Sequence, residues 1–128
     1  MATHWTLGCD AHDPHRLARF WAAALGYVPE PGHDDPDGAS IIDPDGRGPA
    51  ISWLRVPEGK TAKNRVHIDI RPAGEPPWDP DQRERLIRAK VEQVLGLGAT
   101  QVREESYDGA TLGHVVMLDP EGNEFCVG

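Results

Sequence analysis

Asp43-Pro44-Asp45-Gly46 and Asp119-Pro120-Glu121-Gly122 are two copies of one turn in a chain of 128 residues. Each copy follows a short apolar run, Ser40 to Ile42 or Val115 to Leu118. Each precedes another, Ala50 to Leu54 or Asn123 to Val127. Proline fixes the second turn position and glycine supplies the positive φ that closes the hairpin. Two equal hairpins in so short a chain predict an internal duplication, with function lying between two similar half-folds.

The remaining landmarks keep step with the turns. Trp5, Leu7 and Cys9 alternate with polar or small residues, which predicts a half-buried strand over 4–9. Asp13 and Pro14 then read as the cap and first turn of a helix. Leu17, Phe20, Trp21, Ala24 and Leu25 recur on one face of it, and Gly26 stops it. Short strands are expected at 27–28, 39–42 and 50–55. The second half repeats this order. Val66, Ile68 and Ile70 alternate along a strand, and a helix opens at Asp79-Pro80. Ile87, Val91, Val94 and Leu95 form its stripe, and Gly96 or Gly98 ends it. Strands follow at 100–104, 114–118 and 123–127. The helix-ending Leu-Gly pairs lie 72 positions apart (26 to 98) and the turns 76 apart (43 to 119). Neither half can cover both faces of its sheet, so the halves should pack as a pair.

Composition narrows the function classes. The net charge of −8, from 21 acidic against 13 basic residues, argues against nucleic acid or an anionic membrane surface as partner. Hydrophobic content of 38 % and the absence of a long apolar run argue against a membrane span. Met1 to Trp5 lack the basic-then-apolar order of a signal peptide, so a cytoplasmic location is expected. Cys9 and Cys126 make neither a disulfide framework nor a Cys-x-x-Cys zinc site. No phosphate loop, dinucleotide fingerprint or nucleophile elbow is present.

Asp13-Pro14-x-x-Leu17-Ala18-x-Phe20-Trp21 followed by Leu25-Gly26-Tyr27 resembles the first helix of glyoxalase-like proteins. Lys63 to Asp69 is similar to the opening of their second module. Asp119 to Phe125 is similar to their closing hairpin. The chain thus resembles the glyoxalase/bleomycin-resistance/dioxygenase (vicinal oxygen chelate) superfamily over nearly its whole length. The resemblance implies an α+β fold: two βαβββ modules, about 1–58 and 64–128, in one domain, their mixed sheets curled around a cleft with the helices outside. It also implies, in metal-dependent members, four ligands from the first and last strands of each module, usually His, Gln or Glu.

Side-chain alternation places cleft-facing residues at the parity opposite to the core. With that rule the inherited ligand positions fall on Thr6, Ser52, His67 and Cys126. Only His67 is a standard ligand, so no metal cofactor is expected. A divalent ion, if held, would use His67, Glu124 and Cys126. Trp5, Trp21 and Trp53 share parity or helical phase with apolar neighbours and are expected in the core. Two functions follow from the resemblance. One is a lyase- or isomerase-type enzyme with His67 as acid/base, Glu124 as its partner or a second base, and Thr6, Ser52, Asp69 and Cys126 as ligand contacts. The other is a non-catalytic protein that sequesters a cationic drug, as bleomycin-resistance relatives do. The plainer readings are a hydrogen-bonded strand histidine, an inert thiol and a Glu124 paired with an arginine. A small-molecule ligand and a homodimer complete the expectation.

Overall fold

Asp13 starts the first helix, α1 (Pro14–Leu25), by accepting a hydrogen bond from the Arg16 amide at 3.2 Å. Proline occupies the first turn, where a missing N–H costs nothing. Gly26 ends the helix with φ 73°, the left-handed conformation that glycine adopts without a Cβ clash. Leu17, Phe20, Trp21 and Ala24 make its buried stripe. That stripe lies on a four-stranded sheet of β1 (Leu7–Ala11), β2 (Val28–Pro29), β3 (Gly38–Ile42) and β4 (Ile51–Arg55). The strand order is β1-β4-β3-β2, with β1 parallel to β4 and the other pairs antiparallel.

The computed structural model describes residues 1–128 and divides them into two compact units, Met1–Lys60 and Thr61–Gly128. The second unit repeats the first. Asp79 caps α2 (Pro80–Gly96) by accepting from the Gln82 amide at 2.9 Å. Its buried residues Ile87, Val91 and Val94 face β6 (Thr100–Glu105), β7 (His114–Leu118) and β8 (Glu124–Val127), and β5 (Asp69–Ile70) completes the sheet. The order β5-β8-β7-β6 has the same parallel outer pair, β5 with β8. Phe125, Met117, Val115 and Val127 are the fully buried centre of this unit. The fold is therefore α+β, two βαβββ modules each with its own mixed sheet. No helix is long and apolar enough to cross a membrane.

The two turns are built alike. Asp43 accepts from the amides of Asp45, Arg47 and Gly48, and Asp119 from those of Glu121 and Asn123. Gly46 and Gly122 take φ of 70° and 84°. They differ in burial: Asp119 is 4 % exposed and also holds the Asn123 side chain at 3.0 Å.

Three core assignments are corrected. Trp5 is 61 % exposed, because β1 begins at Leu7, level with the first residue of β4, and the alternation has no sheet to pack on before that point. Val66 is 74 % exposed for the same reason, since the parallel pairing of β5 covers only Asp69 and Ile70. Leu95 is 42 % exposed, on the edge of the α2 stripe whose centre Val91 and Val94 occupy. Trp21 and Trp53 lie in the core as expected.

Candidate functional site

Strand β8 sorts its residues by parity. Phe125 and Val127 point to the buried side, while Glu124 and Cys126 are half-buried on the open face. Parallel pairing sets Asp69 level with Cys126, and antiparallel pairing sets Val116 level with it from the other side. The open face thus carries Asp69, Cys126, Val116 and His114 across three strands, and Arg103 from β6 beyond them. They line a concavity of about 530 Å³ that belongs wholly to the second unit.

His67 precedes β5 and folds onto it: its Nδ1 lies 2.8 Å from Asp69 Oδ1. Donor atoms of His67, Asp69 and Cys126 fall within 4.8 Å of one another. Burial, first, and then the neighbouring Asp69 charge push the Cys126 thiol above its ordinary value, and its S–H donates to Asp69. The thiol is therefore neutral near pH 7, and a neutral thiol is a poor nucleophile.

Glu124 is held elsewhere. Its Oε2 accepts from the Asn64 amide at 3.2 Å, Lys63 Nζ stands 4.0 Å from Oε1, and the Asn64 side chain donates to the Glu124 carbonyl at 2.9 Å. The nitrogen of His67 is anchored by Asp69 and not by Glu124, which corrects the expected pairing. A cation beside Glu124 is Lys63. Thr6 is exposed in the segment before β1, so it does not stand on a strand. Ser52 is exposed on β4, level with Gly8.

His114, Trp78, Arg83 and Tyr107 are among the lining residues that had no role in the sequence reading. His114 shares parity with Val116 and so faces the concavity. That parity was a usable signal. Trp78, Arg83 and Tyr107 come from the loop before α2, from α2 and from the loop after β6. Nothing in local periodicity joins them. Arg83 reaches across to donate to the carbonyls of Leu112 at 2.8 Å and Gly113 at 2.6 Å. Tyr107 Oη meets His114 Nδ1 at 2.6 Å.

The profile of the glyoxalase-like domain family matches residues 6–128. Among solved structures, a glyoxalase/bleomycin resistance protein/dioxygenase family enzyme from Burkholderia phytofirmans PsJN superposes with TM-score 0.67 at 16 % identity, covering 95 % of this chain and 94 % of that one. The fosfomycin resistance protein FosX from Mesorhizobium loti gives 0.64 at 12 % identity, over 99 % and 91 %. A FosX variant from Listeria monocytogenes, complexed with Mn(II) and 1S,2S-dihydroxypropylphosphonic acid, gives 0.68 at 10 % identity, over 99 % and 90 %. At these identities the likeness shows the fold. No curated protein matches the sequence.

Proposed function

The chain belongs to the glyoxalase-like domain family, and on that footing we propose that it binds a small molecule over the open face of the second sheet and moves a proton on it with His67. The carrying observation is the His67–Asp69 contact of 2.8 Å at the mouth of the concavity. A carboxylate on Nδ1 fixes the ring and its tautomer and leaves Nε2 for the ligand. Histidine serves as either acid or base near neutral pH, so lyase or isomerase chemistry is within its reach. Cys126, kept neutral, lines the floor without adding charge. Glu124 acts as a positioning residue here, pinning Lys63 and Asn64 and with them the chain that leads to His67.

The usual four-ligand metal site is not rebuilt by these residues, since Thr6 and Ser52 offer only neutral hydroxyls. His67, Asp69 and Cys126 nonetheless supply nitrogen, carboxylate and sulfur donors in the number that catalytic zinc sites use. Asp69 takes the place that the sequence reading gave to Glu124. A divalent ion bound there would supply Lewis-acid polarisation of a substrate oxygen. Capture of a cationic drug has less support: such a ligand would meet Lys63, Arg71, Arg83 and Arg103 in the lining.

A turnover screen of small hydroxy and carbonyl acids, run on metal-stripped and metal-loaded protein, tests the reading. On a compound that turns over, His67→Ala should lower kcat roughly 10²–10⁴-fold. The melting temperature should barely move, because the ring is exposed. An unchanged rate in that variant ends the proposal.

A further inference from the structure

Arg83 is the one arginine of the lining that no carboxylate balances. Arg71 pairs with Glu75 and Arg103 with Glu105, whereas Arg83 has only the two carbonyls of Leu112 and Gly113. Its Nε is buried and has no hydrogen-bond partner. A half-buried cation neutralised by dipoles alone is costly, and an orphaned buried donor calls for a reason. The guanidinium has five N–H bonds, of which two are used.

The surroundings of Arg83 are aromatic. Its Cζ stands 4.7 Å from the centre of the Trp78 ring, and Arg71 stands 5.2 Å from the same ring. Trp78 is fixed by its own Nε1–H, which donates to the Gly74 carbonyl at 2.9 Å. Tyr107 is tied to His114 through its hydroxyl, but the residue is 81 % exposed. A second hollow of about 340 Å³ shares Trp78, Arg83, Tyr107 and Gly113 with the first. Its one carboxylate, Asp108, is taken up by the amides of Ala110 and Thr111 and by the Ser106 hydroxyl.

This cluster lies away from His67. Asp69 and His114 are two strands apart and two residues out of register, roughly 12 Å between backbones at ordinary strand spacings. A ligand that meets both ends must be elongated. We propose that the Arg83 end is a recognition subsite for a ring-bearing oxyanion, a planar carboxylate whose ring lies on Tyr107 and whose oxygens meet Arg83 and His114. The inference deepens the proton-transfer reading and rests on it for what happens at the other end. It also explains how a chain of net charge −8 takes an anion: the local field of one uncompensated guanidinium outweighs distant, screened carboxylates.

The test uses 2-naphthoate and its uncharged counterpart 2-naphthamide, titrated calorimetrically into the full chain. The carboxylate should bind about tenfold or more tightly than the amide, the scale of a charge-assisted hydrogen bond. Arg83→Gln should abolish that preference and Arg83→Lys restore part of it. Tyr107→Ala should weaken both probes by a similar factor through the lost ring contact. Equal binding of the two probes by the unaltered protein, or binding of neither, overturns the subsite and needs no variant to fold. A preference that survives Arg83→Gln overturns it as well. None of these outcomes depends on His67, whose role stands or falls on kcat alone.

Discussion

In the first unit Gly8 stands level with Ser52 where β1 runs parallel to β4, and in the second Asp69 stands level with Cys126 where β5 runs parallel to β8. The backbones offer the same place twice, beside an outer parallel pair with a helix on the far face. Only one copy carries titratable groups there, and only that copy has a histidine, His67, folded onto it. The contrast shows that duplication hands down positions, while chemistry depends on which side chains occupy them. The turns tell a similar story: Asp43 and Asp119 both accept from the amides two and four residues on, and Asp43 also from Gly48, but only Asp119 is buried.

The largest expected effect separates the two turns. Asp119→Ala leaves the amides of Glu121 and Asn123 without their acceptor inside the protein, and should cost about 2–3 kcal/mol in urea unfolding. Asp43→Ala, at the same place in a more open turn, should cost clearly less. Equal losses would mean that the turn, and not its burial, sets the energy.

A second prediction addresses the thiol. Asp69→Asn removes the charge that, after burial, holds Cys126 up. Peptide-mapped iodoacetamide labelling of Cys126 at pH 8 should become several-fold faster, since rate follows the thiolate fraction. The sign for stability follows from the same shift. A group whose value is raised in the fold stabilises it below the ordinary thiol value of 9.0, and loses that contribution as pH rises through the folded value. Asp69→Asn should therefore lessen the alkaline loss of stability. Unaltered labelling would show that burial alone governs the thiol.

The smallest expected effect sharpens the comparison most. A Cβ at Gly8 would meet no atom within 4 Å, so Gly8→Asp should change stability by no more than about 0.5 kcal/mol. Combined with Ser52→Cys it places a carboxylate beside a thiol in the first unit. Position 52 should then label more slowly than in Ser52→Cys alone. If it does not, matching register is insufficient to reproduce the Asp69–Cys126 contact.

Much of this was legible in the chain. Asp13-Pro14, Asp79-Pro80, Gly26 and the doubled turn act within a few residues of themselves, so helix starts, one helix end and both hairpins could be read directly. Parity put His67, Asp69 and Cys126 on one face of a strand pair. The errors lie at Trp5, Val66 and Leu95, where an alternating or helical pattern runs past the neighbour that would have covered it. Register between strands far apart in sequence decides where a pattern stops counting.

The sequence by itself determined the repeat of strand, helix and three strands, because this depends on local propensity and on spacing along the chain, and its resemblance to a known family singled out His67. Tertiary structure alone decided that Asp69 and not Glu124 holds His67, that Glu124 turns to Asn64 and Lys63, and that Arg83, Trp78 and Tyr107 gather at the far end of the concavity. Those contacts join side chains from separate loops and elements, and their geometry exists only once the sheet has fixed how the strands lie against one another.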